Sequence, residues 1–320
     1  MDDQLFTNLG IPAHPLTIDD LKRTAGVAAI AYETTQDVNH LNMIVETLLR
    51  LSSMMPPDHV DRAVAIDQLE KYSWIRYKKK GNLEDIDNQI NAGRELLTMQ
   101  LGQTRRAEAL FRLSSALLVK YNATSSFDIL QEAIGKAEES VSTMPPNSRL
   151  WPYALNARGA LLASRYKETG REEDLQSAIR AGKEALERGP PDGTDRAHIA
   201  SNLADFLKVK HEKSKERADL DDAIRVAKVA MAAVPIGDPD RASYADQTRK
   251  LLVLKYDETQ ALEDVEEVIH YAREAVSASR PDNHNRGRYL RELSHLLISR
   301  YGRTGLLEDL REAIRVGRLP

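Results

Sequence analysis

Two apolar patterns recur along the chain at a fixed interval. One is an aromatic series with a step of 44 or 45 residues, in which histidine replaces tyrosine once: Tyr32, Tyr77, Tyr121, Tyr166, His211, Tyr256 and Tyr301. The other is a branched aliphatic series with the same step: Val45, Ile90, Ile134, Ile179, Ile224, Ile269 and Ile314. A fixed period of this length is typical of repeat proteins in which each repeat is one supersecondary unit. The sequence therefore predicts about seven copies of one unit.

Each unit contains two amphipathic stretches, and no segment has the pattern of a strand. In one unit, apolar residues fall at every third or fourth position from Leu220 to Met231, which is the spacing of one helical face. One position of this face is small in six units: Gly93, Ala137, Gly182, Ala227, Ala272 and Gly317. A small residue there lets a neighbouring helix approach closely. The pattern predicts an all-α fold of stacked helix–turn–helix pairs, because one pair cannot bury its apolar face alone.

Residues typical of helix ends mark the boundaries of the units. A basic residue precedes the Tyr or His position in six units, as Arg76 and Arg165 do, and cations favour a helix C-terminus. Gly81, Gly170 and Gly305 follow the tyrosine by four residues, where a left-handed helix stop is expected. The predicted units are 17–53, 61–100, 104–143, 148–188, 195–234, 240–279 and 285–320, and residues 1–16 form an N-terminal lead-in.

Two recurring features of the units have a structural explanation. Asp or Asn followed by Arg recurs at the start of units, and we expect the first residue to cap a helix and the arginine to bridge to a neighbouring unit. The four instances are Asp61-Arg62, Asp195-Arg196, Asp240-Arg241 and Asn285-Arg286. We expect His211 to be a packed side chain rather than a catalytic one, because it occupies a tyrosine position of the repeat.

Composition and charge limit the classes of partner and the cellular compartment that the sequence predicts. The 45 Lys and Arg residues are outnumbered by 49 Asp and Glu residues, giving a net charge of −4, so charge gives no reason to expect a nucleic-acid or membrane partner. The chain has no cysteine, which excludes disulfides, thiol nucleophiles and cysteine-ligated metals. The apolar run 27–32 is too short to span a membrane, and the acidic start is unlike a signal peptide. We therefore predict a cytoplasmic protein.

Motifs for cofactor or metal chemistry are missing. The eight histidines lack pairs spaced by four residues, and the serine-hydrolase and dinucleotide fingerprints are absent. We therefore expect no cofactor and no metal. Acid–base catalysis by Asp205, Asp246 or His198 would need no motif, so the sequence leaves enzyme activity open, with a non-enzymatic role favoured.

The repeats resemble the tetratricopeptide-repeat (TPR) class, in the longer form found in fungal multi-repeat proteins. The resemblance is carried by the unit that runs from Asp240-Arg241-Ala242 through Tyr256 to Leu262-Glu263-Asp264, and by its recurrence at Leu307-Glu308-Asp309. It covers residues 17–320 and implies an α-solenoid wound as a right-handed superhelix. Such arrays often accompany a caspase-like or a nucleotide-binding domain. Neither is expected here, because cysteine and the phosphate-binding loop are absent.

The resemblance also implies a ligand groove on the inner face of the first helices. Counting back from the Tyr or His position gives fifteen candidates: Asp67, Lys71, Trp74, Phe111, Tyr153, Asn156, His198, Ser201, Asp205, Lys208, Asp246, Lys250, Arg288, Arg291 and His295. The middle of this set is aromatic and its C-terminal end is basic. Lys208, Lys250, Arg288 and Arg291 are expected either to bind a carboxylate of an acidic peptide or to form a solvated face of little energetic weight.

Three functions remain open from the sequence. The favoured one is a protein–protein interaction scaffold that binds a protein or peptide partner in the concave groove, with no nucleic-acid or membrane partner. The second is a small-molecule groove, including a cofactor-free acid–base or cyclisation enzyme, which would have an aromatic pocket around Trp74, Phe111, Tyr153 and Phe206. The third is a spacer that self-associates through its C-terminal edge.

Overall fold

The computed structural model describes residues 16–318, which contain fourteen α-helices and no β-strand within that range. The helices are α1 (Ile18–Thr35), α2 (Val38–Met54), α3 (Arg62–Lys80), α4 (Leu83–Thr98), α5 (Gln103–Thr124), α6 (Phe127–Thr143), α7 (Trp151–Thr169), α8 (Glu172–Arg188), α9 (Gly193–Ser214), α10 (Arg217–Ala233), α11 (Arg241–Thr259), α12 (Leu262–Ala278), α13 (Arg286–Thr304) and α14 (Leu307–Gly317). The prediction of an all-α fold is confirmed. Most of the predicted lead-in, residues 1–15, lies outside the described residues.

These helices form two compact units, each larger than one repeat. The N-terminal unit ends at Pro145 and the C-terminal unit begins at Pro146. Within each unit, consecutive helices pack as hairpins, and the second helix of a hairpin packs on the first helix of the next. The odd-numbered helices are therefore the first helices of the predicted repeats. In the described range, none of the helices is long and apolar enough to cross a membrane.

Every first helix ends on a residue with a left-handed backbone. Gly81, Gly170 and Gly305 have φ values of 72°, 70° and 69°, as the sequence predicted. The other four first helices end on non-glycine residues with φ between 52° and 58°: Gln36, Ser125, Lys215 and Gln260. The backbone N–H of each stop residue donates to the carbonyl of the Tyr or His four residues earlier. The recurring geometry of this turn therefore accompanies the hydrogen bond and does not depend on glycine alone.

The basic residue before the Tyr or His position forms an ion pair that the sequence analysis missed. In five hairpins it pairs with an aspartate nine residues later, at the start of the second helix: Arg76–Asp85, Arg165–Asp174, Lys210–Asp219, Lys255–Asp264 and Arg300–Asp309. All five aspartates are buried. Lys120 differs, because position 129 is Ile129, and it donates instead to Asp87 of the preceding hairpin at 2.9 Å. In the five hairpins that have it, the ion pair joins the end of the first helix to the start of the second.

The arginine that opens several first helices joins its hairpin to the one before. Arg286 Nη1 donates to the carbonyls of Val276 and Ser279 at 2.8 and 2.6 Å, which satisfies groups at the end of α12. Equivalent bonds are made by Arg62, Arg106, Arg196 and Arg241. The predicted bridge is confirmed. The predicted caps are wrong. The side chains of Asp61, Asp240 and Asn285 make no capping hydrogen bond, and Asp195 lies within α9, whose N-cap is Asp192. Trp151 takes the arginine position at the start of α7.

His211 is packed, as the sequence predicted. The residue is 5% exposed. Its Nδ1 lies 3.0 Å from the carbonyl oxygen of Glu216 and its Nε2 lies 3.2 Å from Glu258 Oε1. Both ring nitrogens are therefore engaged by neighbouring groups.

The small position of the second helices lies against a leucine of the next first helix. A Cβ added to Gly182 in α8 would lie 3.1 Å from Leu203 Cδ1 in α9, and one added to Gly93 in α4 would lie 3.3 Å from Leu113 Cβ in α5. Both distances are tight for carbon atoms in van der Waals contact. The small residues therefore permit the close approach that the sequence predicted.

Replacing Gly182 with leucine is expected to lower the free energy of unfolding by about 1 to 3 kcal/mol, because the added side chain overpacks the α8–α9 contact. Denaturant titration monitored by circular dichroism measures this change. Gly135→Leu in α6 is the matched control, since a Cβ there meets nothing within 4 Å. An unfolding midpoint for Gly182→Leu no lower than that for Gly135→Leu would contradict the packing assignment.

Candidate functional site

Four of the fifteen candidates line one pocket in the N-terminal unit. Asp67, Lys71 and Trp74 come from α3 and Phe111 comes from α5, around a volume of about 520 Å³. The spacing of the three α3 residues places them on one helical face. The remaining lining residues are Glu70, Ile75, Gln89, Arg112, Ser115 and Ala116. We call this set the Trp74–Phe111 pocket. Its aromatic and alkyl groups are combined with a few polar ones, as in sites that bind organic ligands or side chains.

Two carboxylates in this pocket are held by arginines of α5. Arg112 Nε donates to Glu70 Oε2 at 2.6 Å, and its Nη2 donates to Asp67 Oδ1 at 3.1 Å. Arg105, one heptad earlier on the same helix, also pairs with Asp67. The anionic groups of the pocket therefore have cationic partners from the facing helix.

Two oxygen atoms of the pocket are buried without a hydrogen-bond donor. Glu70 is 1% exposed and Gln89 is 5% exposed, and among the described residues neither Glu70 Oε1 nor Gln89 Oε1 has a partner. We call these two atoms the acceptor pair. Burial raises the pKa of Glu70 to about 7, although Arg112 acts in the opposite direction. The carboxyl therefore changes charge near neutral pH.

The sequence analysis did not select Glu70, Gln89 or Arg112. The signal for Glu70 is present in the sequence, because it follows Leu69 within the buried face of α3, where a carboxylate is rare unless it is paired. The partner could be found only by knowing which α5 residues face α3, since Arg112 follows Glu70 by 42 residues.

Tyr153 lies in a different pocket, at the start of α7. That pocket has a volume of about 520 Å³ and is lined also by Trp151 and Arg188, and the Tyr153 hydroxyl donates to Asp195 Oδ2 at 2.8 Å. Phe206 is buried in the C-terminal unit, and a Cβ on Gly159 would lie 3.1 Å from its ring. The four aromatic residues considered from the sequence therefore do not line one pocket.

Polar candidates on α7 and α9 are joined to neighbouring first helices by hydrogen bonds. Asn202 Nδ2 donates to Asn156 Oδ1 at 3.1 Å. Ser201 Oγ donates to Gln247 Oε1 at 2.9 Å, and Gln247 Nε2 donates to Asp205 Oδ1 at 2.8 Å. These bonds link α7 to α9 and α9 to α11, so the amides and hydroxyls fix the spacing of first helices in the C-terminal unit.

Asp246 lies at the centre of an ion cluster. The residue is 3% exposed, and it accepts hydrogen bonds from Arg249 at 2.9 Å and Arg288 at 2.9 Å, with Lys250 Nζ 2.8 Å away. Burial raises its pKa, but the bonds from Arg288, Lys250 and Arg249 outweigh burial and hold the pKa below its usual range. Asp246 therefore stays ionised at neutral pH, which suits a structural ion pair better than proton transfer.

The basic end of the predicted groove is mostly paired with carboxylates. Lys250 and Arg288 contact Asp246, and Lys208 pairs with Glu212 on the same helix. Arg291 and His295 are exposed on α13. His198 is also exposed, with Nε2 3.8 Å from Asp240 Oδ2, and it lines a small hollow of about 200 Å³ that includes Ser201.

The last hairpin exposes apolar side chains, as the third reading of the sequence requires. Large hydrophobic residues at 48% to 58% exposure are found on α13, on α14 and in the turn between them: Ile298, Leu306, Leu307 and Ile314. Self-association through this edge stays a prediction.

No protein-family model matches the chain, and no curated protein sequence matches it. The comparison with solved structures is informative. A human IFIT1 dimer with PPP-AAAA is 14% identical with a TM-score of 0.54, covering 95% of this chain and 65% of that chain. The apo form of the quorum sensor NprR from B. thuringiensis is 11% identical with a TM-score of 0.51, covering 98% and 92%. A tetratricopeptide repeat protein from Parabacteroides merdae is 13% identical, covers 92% and 94%, and has a TM-score of 0.48.

The fold is TPR-like. The resemblance inferred from the sequence is confirmed at this level, and identities this low show the fold alone. The chain spans 65% of the length of the IFIT1 chain. The comparisons do not support the prediction that nucleic acid is excluded as a partner.

Proposed function

We propose that this TPR-like protein is a binding scaffold whose first helices bind a peptide or partner helix, with the Trp74–Phe111 pocket holding the anchoring side chain. The observation that carries the proposal is the meeting of four predicted groove residues, from two neighbouring first helices, around one pocket of about 520 Å³. Binding energy in protein interfaces concentrates where a large side chain fills a desolvated pocket.

The rim of the pocket fits the same role. Lys71 is exposed while Trp74 and Phe111 are half-buried, so polar groups surround an apolar centre, as they do at interfaces. The finer predictions belong to this proposal: about seven repeats, a right-handed superhelix, a cytoplasmic location and a concave groove shared by the first helices. An acidic partner is also part of it, and exposed Arg291 is the cation of the basic end best placed to meet one.

A random-peptide display library panned against the immobilised protein tests the proposal. Peptides selected in this way are expected to lose at least tenfold in affinity for Phe111→Ala, because truncation of a central aromatic residue costs more than about 1.4 kcal/mol. Isothermal titration calorimetry measures the affinities.

Phe127→Ala is the matched control, since Phe127 lies in the same unit, is 42% exposed and does not line the pocket. Unchanged helicity of both variants by circular dichroism establishes that the fold is intact. Selected peptides that bind the protein and Phe111→Ala with equal affinity would contradict the proposal.

One observation favours the second reading, a small-molecule site with acid–base chemistry. Glu70 is buried in the pocket with a pKa of about 7, which suits a group that transfers protons near neutral pH. Native mass spectrometry of the purified protein tests this alternative, and a co-purifying small molecule lost from Phe111→Ala would favour it over the scaffold.

A further inference from the structure

The acceptor pair limits what the Trp74–Phe111 pocket can bind. Glu70 Oε1 and Gln89 Oε1 are both buried and without a donor among the described residues. A hydrocarbon ligand leaves both acceptors unpaired, as they are in the empty pocket. A ligand that brings a donor to them relieves the cost of a buried acceptor without a partner, which exceeds what an ordinary hydrogen bond contributes. A fitting ligand therefore brings a hydrogen-bond donor.

The charges around the acceptor pair argue against an ionic ligand. Arg112 already binds both Glu70 and Asp67, and Arg105 binds Asp67 as well. Lys71 also lines the pocket. A cation in the pocket would therefore meet the positive groups of Lys71 and Arg112 and no carboxylate without a cationic partner, while an anion would face the two unpaired acceptors. A neutral donor avoids both penalties.

We propose that the Trp74–Phe111 pocket binds an aromatic ring that carries a neutral N–H or O–H donor, an indole or a phenol, with the donor directed at Glu70 Oε1 and Gln89 Oε1. This inference rests on the proposed function and names the chemistry of the anchoring group. Trp74, Phe111 and Ile75 provide the ring and alkyl surface that such a group packs on. The volume of about 520 Å³ exceeds what one indole needs.

Protonation of Glu70 makes the affinity for such a ligand depend on pH. Oε2 accepts from Arg112, so a proton on the carboxyl resides on Oε1 and turns that acceptor into a donor. The charged groups that act on Glu70 are Arg112 from α5 and Asp67 from α3. Lys71 from α3 and the neutral Gln89 from α4 line the same pocket. The pocket-lining residues include no histidine, so Glu70, whose pKa is about 7, is the group that titrates there. A ligand donor is therefore bound more tightly at pH 8 than at pH 6.

The test compares two probes that differ by one methyl group, N-acetyl-L-tryptophanamide and its 1-methylindole analogue, titrated into the protein and followed by NMR. The methylated probe is expected to bind at least about tenfold more weakly at pH 8, because it brings no donor to the acceptor pair. The ratio is expected to shrink at pH 6. Gln89→Leu, which removes one acceptor, is expected to reduce the discrimination as well.

A second pair of probes, indole and 1-methylindole, separates a free small molecule from a peptide side chain. Indole binding with discrimination, but no binding of N-acetyl-L-tryptophanamide, would support the donor inference and contradict a peptide anchor. Equal affinities within both pairs would overturn the donor inference and leave the peptide scaffold standing. Binding of none of the four probes at 20 mM would also overturn the inference. The comparison of probes on the unaltered protein keeps the test valid if a variant fails to fold.

Discussion

Replacing Arg165 with alanine is expected to lower the free energy of unfolding by about 3 kcal/mol. Its guanidinium binds Asp174 through two hydrogen bonds, from Nε to Oδ2 at 2.8 Å and from Nη2 to Oδ1 at 2.6 Å. Asp174 is 3% exposed, so the variant leaves a buried carboxylate without its partner, which is the costly way to break an ion pair. Urea titration at pH 7 measures the change.

The same pair predicts how the effect depends on pH. The hydrogen bonds from Arg165 hold the pKa of Asp174 below its usual 3.8, so the pair contributes stability above that value and loses it as the pH falls through the folded-state pKa. The difference between the protein and Arg165→Ala is therefore expected to shrink below pH 3.8. Arg180→Ala is the control, because exposed Arg180 donates to Ser177 on its own helix, and its effect is expected to stay within about 0.5 kcal/mol. Equal effects of the two substitutions would contradict this account.

Glu70 is expected to make the protein less stable as the pH rises. Its folded-state pKa of about 7 exceeds the ordinary value of 4.5, so the folded protein holds the proton more tightly than the unfolded chain. Stability linked to this group is complete below pH 4.5 and is lost as the pH rises through 7. Between pH 5 and pH 8 the loss is about 2 to 3 kcal/mol.

The change is isolated by comparison with Glu70→Gln, which keeps the shape of the side chain and removes the titration. The unfolding free energy of the protein minus that of Glu70→Gln is expected to fall by this amount from pH 5 to pH 8, since other titrating groups cancel. Glu46→Gln, at an exposed position of α2, is expected to give a flat difference. A flat difference for Glu70→Gln as well would show that Glu70 titrates normally.

The helical repeat was predictable because each unit repeats the same local signals. The 45-residue step of the tyrosines, the left-handed stops at Gly81 and Gly305, and the small position at Gly182 each have a physical cause within one or two helices. The stops at Gln36 and Lys215 show that the turn also forms without glycine, which the sequence analysis did not predict.

The ion pairs within the hairpins were not predicted, because they depend on which helix faces meet in the folded protein. Arg165 suits a helix C-terminus by the dipole argument, and its partnership with Asp174 becomes visible only in the folded hairpin. The Asp246 cluster is similar, since Lys250 and Arg288 look free in the sequence and share one buried carboxylate in the structure.

The candidate site was predictable only where its residues lie on one face of one helix. The spacing on α3 gave Asp67, Lys71 and Trp74, which share a helical face. The acceptor pair could not be predicted, because Glu70 and Gln89 are notable for their burial in the folded protein and not for their spacing in the sequence.

A crystal structure of the protein with a display-selected peptide tests the central claim most directly. The account predicts a peptide side chain between Trp74 and Phe111, with the rest of the peptide along the first helices of the N-terminal unit. A bound peptide that leaves this pocket unfilled and contacts another surface would contradict it.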